Sequence, residues 1–385
     1  MSRLRILTIL PLLALFAPAG QAQLGKLITI PAGSEVDHEL AAIANADASH
    51  KLQLIDEFAK AHPEDDLQII VDEQYVNYYL EAKQYDKTFE YGDKLIALDP
   101  DNYNNAVNLV RAANETGDTD RLFKYGERAT SIIARYRTSP PPPDTDPDSW
   151  PDAKRLKLSS LKDTLDYVHQ SLLSAAYNAK EPAKKADYLQ RFAAMYPDPP
   201  EGEQALTMAA LSYQQAQQRG KMLELANGAL ARDPNNVSML LLLADDYSEK
   251  GEQLDKAETY AKKAVSLTET LKKPEAYTDD QWKEHTSMQK GLALSALGQI
   301  AIEKKLNPQA IENLTKAAPL LKTSAVSYAR NQYRLGFAYL NLKKNAEAKQ
   351  AFTDAASVDS PYKGPAQQKI DEISAAKPAP HRKPS

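Results

Sequence analysis

The chain has 385 residues, no cysteine, 24 prolines and a formal net charge of −5. The missing cysteine excludes disulfides, thiolate catalysis and Cys-ligated zinc, and the acidic balance argues against a nucleic-acid partner, which would want a basic face. At 43% hydrophobic and 26% charged residues most of the chain should fold; a single core stops growing near ~250–300 residues, whereas stacked repeats have no such limit.

Residues 1–22 read as an export signal. Arg3 and Arg5 give a positive start, Ile6 to Phe16 is a short apolar run, and small residues lead up to Ala22. Cleavage is expected between Ala22 and Gln23. The run is well under the ~20 residues that cross a bilayer. No membrane span is therefore expected after cleavage, and the mature chain is expected to be soluble, in the periplasm or the medium. Residues 23–33 should be extended and stopped by Pro31.

Helical patterns follow. Residues 34–65 hold two short ones, with Ser34 as a cap and Leu52, Ile55, Phe58 and Ala59 on one face of the second. Residues 69–102 read IIVDEQYVNYYLEAKQYDKTFEYGDKLIALDPDN. Tyr75, Val76, Tyr79 and Leu80 form an i, i+1, i+4, i+5 stripe that suits a helix and not a strand. Tyr85, Phe89, Leu95, Ile96 and Leu98 form a second stripe, which Pro100 ends. Residues 103–136 repeat the plan, with Ala106, Leu109, Val110 and Ala113, a Gly117-Asp118 turn, then Leu122, Tyr125, Ala129 and Ile132.

Residues 137–153 are a Pro-rich insertion in which Pro140 to Pro143 cannot be helical. It reads as a surface loop, or as a segment that docks in an aromatic groove. A long helix is expected over Lys154–Asn178, completing a unit at 154–199 with a partner helix that Pro197 ends. Further units span 203–236 and 237–270, the latter with one extra residue near Leu254. An insertion at 271–280 precedes a unit at 281–324 with an extended first helix. The last unit is 329–362, where Gly336 is expected at a close helix crossing. A polar capping helix at 363–374 and a disordered tail at 375–385 complete the chain.

Neither helix of a pair can bury its stripe alone; each needs its partner and then a neighbour. The stretch YDKTFEYGDKLIALDPDN resembles the second helix and exit of a tetratricopeptide repeat, and Leu297-Gly298, Ala301 and Ala310, or Leu335-Gly336, Tyr339 and Ala348, resemble the same unit later on. The resemblance covers nearly all of the mature chain. It implies an all-α fold, a right-handed α-solenoid of seven to nine antiparallel helix pairs. It implies a concave groove lined by first helices: Gln74, Asn77, Glu81, Asn104, Asn108 and Arg111 early on, and Arg330, Tyr333, Arg334 and Phe337 in the last unit. In the chaperone-cofactor members an acidic peptide terminus is clamped by Lys, Asn and Arg. Asn77 and Asn108 match its asparagines, and Glu73 stands where the clamp has Lys.

A longer period overlies the repeats. Phe58 and Phe192, Pro63 and Pro197, Tyr79 and Tyr213, Pro100 and Pro234, Leu109 and Leu243, and Gly117 and Gly251 are all separated by 134 positions. A duplicated three-repeat block, followed by a truncated third, explains them.

Catalytic signatures are missing. No two of the six histidines have i, i+4 spacing, and there is no nucleophile elbow, phosphate loop or Rossmann glycine pattern. The pairs Asp65-Asp66, Asp245-Asp246 and Asp279-Asp280 could act as general acid and base or hold a cation, but adjacent helical residues point about 100° apart and do not converge by themselves, so they are expected to be solvated acids near helix ends. Asp144, Asp146 and Asp148 alternate like a calcium loop, without its glycine or distal glutamate. No cofactor and no metal are expected. The leading expectation is a non-enzymatic scaffold of the bacterial cell envelope that binds a protein or peptide. The alternatives are an accessory subunit of an outer-membrane assembly, secretion or polysaccharide-export machine, and a solenoid enzyme or sugar-binding protein. A deep pocket with converging carboxylates and aromatics would favour the last.

Overall fold

The structure, a computed structural model, describes residues 24–63, 65–143, 145–198, 200–275 and 277–375. The expected signal with its cleavage site, and nearly all of the expected tail, lie outside them. The described residues form eighteen α-helices and one 3-10 turn, without a strand. They divide into two compact units, one ending at Pro197 and one beginning at Asp198.

Unit 1 pairs α1 (Glu35–Asn45) with α2 (Ala48–Ala61), α3 (Asp65–Glu81) with α4 (Tyr85–Leu98), and α5 (Tyr103–Thr116) with α6 (Thr119–Thr138). The short α7 (Trp150–Ser160) follows, and then α8 (Lys162–Asn178) pairs with α9 (Pro182–Met195). Unit 2 pairs α10 (Glu201–Gln215) with α11 (Arg219–Arg232), α12 (Val237–Lys250) with α13 (Leu254–Thr270), α14 (Asp279–Glu303) with α15 (Asn307–Ala317), and α16 (Ala325–Asn341) with α17 (Asn345–Ala356). α18 (Lys363–Ala375) packs its Ala366, Ile370 and Ile373 against Phe352 and leaves its polar face outside. Each unit is thus an α-solenoid of tetratricopeptide-like pairs.

Local chemistry sets the helix ends. The Asn102 side chain accepts from Asn105 N at the start of α5, and Asn236 accepts from Met239 N at the start of α12. Both helices end on a glycine in the left-handed region, Gly117 at φ 69° and Gly251 at φ 65°, where a side chain would strain the backbone. These two helices are 14 residues long and 134 positions apart, as are α4 and α11, and α2 and α9. The start of α13 lags that of α6 by one further residue. That residue is Gln253, held at φ 45°.

Gly336 lies where α16 crosses α17. A methyl group there would stand 2.6 Å from the fully buried Phe352 ring, so the crossing has room for glycine alone. The expected helix over Lys154–Asn178 is two helices, broken at Leu161. The reason is burial. α8 buries Val168, Leu172 and Ala176, while α7 buries no residue and exposes Leu156. α7 hangs instead on polar anchors: Trp150 Nε1 and Lys154 Nζ both donate to Ser139 O at 3.0 Å.

Residues 24–33 carry no regular structure but are stitched to the α4–α5 turn. Lys26 N donates to Asp99 Oδ2 at 2.9 Å, and Tyr103 N donates to Leu24 O at 3.3 Å. Asp99 is buried and spends its carboxylate on this strap.

Candidate functional site

In unit 1 the first helices α3, α5 and α8 line one groove of about 310 Å³. α3 supplies Glu73, Val76 and Asn77. α5 supplies Asn104, Asn105, Val107, Asn108 and Arg111, and α8 supplies Thr164. Helical spacing explains the set: Asn104, Asn108 and Arg111 stand at i, i+4 and i+7 on one face, and Leu109 and Val110 are buried on the other.

Four of the six residues expected early in the chain meet here. Asn108 Nδ2 donates to Asn77 Oδ1 at 3.0 Å, which ties α5 to α3 across the floor. Gln74 and Glu81 stand on α3 but do not line the groove. Arg111 is exposed at the rim, its guanidinium 5.9 Å from the centre of the Tyr167 ring. No Arg111–Glu115 ion pair forms among the described residues. Glu73 is not a free acid, because Asn102 Nδ2 donates to it at 2.7 Å. Burial pushes its carboxyl up, against the Asn102 hydrogen bond and with a smaller push from Asp99. Arg111 is therefore the one solvated charge among these lining residues.

A second groove, of about 370 Å³, opens in unit 2 on α10, α12, α14 and α16. Its walls are Leu211, Leu241, Leu242, Met288 and Leu292, with Thr207, Gln214, Ser238, Asp245, His285, Gln289 and Arg330 among them. Position by position, 134 residues on from unit 1, Asn77 becomes Leu211, Val107 becomes Leu241, Asn108 becomes Leu242 and Arg111 becomes Asp245. Applying the period to Asn77, Asn108 and Arg111 would have found this wall. The contribution of α14 had no sequence signal, because its apolar residues spread round the helix; α8 carries a buried stripe of Val168, Leu172 and Ala176, but Thr164 and Tyr167 carry no mark of their own.

The residues expected in the last unit are differently placed. Arg334 is 4% exposed. It donates to Asp245 Oδ1 at 2.9 Å and Ser295 Oγ at 3.1 Å, and also pairs with Glu249. Arg330 lines the groove and binds Asp245 Oδ2 at 2.6 Å. Tyr333 and Phe337 pack on Phe352, and Tyr333 also on Tyr362. Asp245 and its neighbour Asp246, expected to be solvated, are both ion-paired. They point apart as helix geometry requires, Asp245 toward α16 and Asp246 toward Arg219 on α11 at 2.8 Å. Burial pushes the Asp245 carboxyl up, but the Arg330 and Arg334 guanidiniums outweigh it and hold it below the usual carboxylate range. His285 is half-buried, its ring 5.6 Å from that of Trp282, and burial pushes its pKa down. Among the described residues no group of three or more His, Asp and Glu is placed to hold a metal ion.

No family model matches the chain, and no curated protein matches it. Solved structures do. The apo form of RapI is 13% identical over 71% of this chain and 71% of its own, with a TM-score of 0.32. The P58(IPK) TPR domain is 12% identical, covers 89% and 100% of the two chains and scores 0.28. Yeast Tom70 is 11% identical, covers 88% and 94%, and scores 0.20. The fold assignment rests on the helix pairs themselves.

Proposed function

We infer that the chain is a non-enzymatic interaction scaffold that holds an extended peptide or protein segment in the groove of unit 1. The observation that carries this is the open, polar floor of Asn77, Asn104 and Asn108 with the unpaired Arg111 at its rim. Asparagine amides both donate and accept, so they can follow a peptide backbone whatever its side chains. Arg111 offers a planar fork that matches a carboxylate. The Glu73 carboxyl is half-buried and bonded to Asn102, whereas Arg111 is exposed, so an acidic group is best placed beside Arg111.

Against an enzyme stands the state of the acids. Acid–base catalysis needs carboxyls free to exchange a proton with substrate, and the lining acid of each groove is already bonded within the fold, Glu73 to Asn102 and Asp245 to Arg330 and Arg334. The leader-like opening with Arg3 and Arg5 supports an address in the bacterial envelope, which N-terminal sequencing of the mature protein, expected to start at Gln23, checks. No helix among the described residues is long and apolar enough to cross a membrane.

The groove is tested with an array of extended peptides, acidic and basic, bound to the purified protein and its Asn77→Ala, Asn108→Ala and Arg111→Ala variants. Acidic peptides should be retained, and truncating at least one anchor should cost about 1 kcal/mol or more. Equal binding by all three variants would move recognition elsewhere.

A further inference from the structure

The groove of unit 2 is left over from the reading above, and its chemistry is different. Its exposed wall residue, Leu211, is 37% exposed, a large apolar side chain open to water. Leu241, Leu242, Met288 and Leu292 continue the surface inward. The charges at its end cancel: Asp245 and Glu249 face Arg330 and Arg334. An ionic ligand would gain nothing there. A volume near 370 Å³ with an apolar lining and a few polar groups falls in the range of small binding sites.

One polar group is unsatisfied. Gln289 reaches the groove from α14 and is 9% exposed, and its Oε1 has no hydrogen-bond partner. Buried amides normally find partners, and an orphan one calls for an explanation. A carboxamide bonds reciprocally with a peptide group, accepting from N–H and donating to C=O. An apolar wall beside an unfilled amide describes the surroundings of a leucine-like residue within a peptide chain.

We propose that the unit 2 groove is a binding site for an uncharged peptide segment bearing large aliphatic side chains, its backbone amide paired with Gln289 and its side chain seated on Leu211, Leu242 and Met288. The proposal shares with the preceding section the idea of a peptide ligand, but uses other residues and the opposite chemistry. Arg111→Ala leaves this site intact, so either reading can fail alone.

The probe is N-acetyl-Gly-Leu-Leu-Gly-amide, titrated into the full mature chain and followed by ¹H–¹⁵N spectra and by Trp282 fluorescence, since Trp282 stacks with the groove residue His285. Saturable shifts at α10, α12 and α14 are expected, and the Glu-Glu and Lys-Lys counterparts should bind at least tenfold more weakly. Leu211→Asn, which places here the side chain that unit 1 carries at the equivalent position, should weaken binding at least tenfold. So should Gln289→Leu, while its melting temperature stays level or rises, because removing an orphan polar group does not destabilise a core. Methylating the leucine amide nitrogens of the probe should have the same effect. No saturable binding, equal binding of the charged peptides, or wild-type affinity in Leu211→Asn would overturn the site. Wild-type affinity in Gln289→Leu or for the methylated probe would overturn the role of the amide.

Discussion

Residues 65–116 and 201–250 are two versions of the same three helices, and they part company on one face. Caps, turns and buried faces agree: Asn102 matches Asn236, Gly117 matches Gly251, and Leu109 and Leu243 are both fully buried. The groove face does not agree. In unit 1 it is amide-rich with a solvated arginine, and in unit 2 it is aliphatic with a neutralised ion-pair cluster. Positions that hold the helices together tolerate little change, because interiors are close-packed. Positions that face the groove are freer to vary, except where, as at Asp245, the side chain also holds a neighbouring helix.

The largest expected effect breaks the comparison at one equivalent position. Asp245→Ala should leave Arg330 without its carboxylate and the nearly buried Arg334 with Glu249 and Ser295 alone, and destabilise unit 2 by about 3 kcal/mol, the low end for a broken buried pair. Arg111→Ala, in the same place on α5, should stay within ~0.5 kcal/mol because its charge is solvated. Urea denaturation of both variants measures the contrast; equal losses would show that Arg111 too is structural.

A smaller effect sharpens it at the helix crossing. A methyl group on Gly92 would stand 2.4 Å from Leu109, and Asn105 Nδ2 donates to the Gly92 carbonyl at 2.9 Å. Unit 2 has Ala226 at the equivalent position and no such bond, since Met239 replaces Asn105. Gly92→Ala should cost about 1–3 kcal/mol by overpacking. Ala226→Gly should cost about 1–2 kcal/mol, from helix propensity and the loss of a fully buried methyl group. Gly92→Ala at wild-type stability would mean that α4 and α5 part without penalty.

The smallest effect is the response to acid, which has opposite signs in the two units. Burial raises the Glu73 pKa in the folded state. Its charged form therefore costs stability above that pKa, and the cost fades as pH falls toward the unfolded value near ~4.3. Asp245 is depressed, so its contribution is full above the unfolded value near ~3.9 and is lost as pH falls through its lower folded pKa. Hydrogen exchange should show α5 amides better protected on going from pH 7 toward 4.5, and α12 amides losing protection only below about pH 4. Glu73→Gln should be more stable than wild type at pH 7 and equal to it below about pH 4. A wild-type advantage at pH 7 would mean that the Glu73–Asn102 hydrogen bond outweighs burial.

Much of this was readable in order along the chain. Tyr75, Val76 and Tyr79 announce a helix face, Asn102 and Asn236 announce starts, and Gly117 and Gly251 announce stops, because these signals act within a few residues. Asn108 and Arg111 could be placed on one face because α5 carries a strong apolar stripe that fixes its rotation; on α3, whose apolar residues spread round the helix, Asn77 meets the groove and Gln74 and Glu81 do not. Arg334 could not be placed. It is buried and does not line the groove, and its partners Asp245 and Glu249 are 89 and 85 residues away.

The amino-acid order alone set the helical class, the pairing of helices and the 134-residue spacing of their landmarks, since periodicity, caps and breakers are properties of neighbouring residues; the break at Leu161 was decided by burial. Which polar groups are spent on the fold and which are left for a ligand was decided by the packing. Asp245 and Arg111 look alike as charged residues on a first helix. One is held ionised by two guanidiniums from α16 and the other faces water, because desolvation and ion pairing depend on what the neighbouring helices bring within reach.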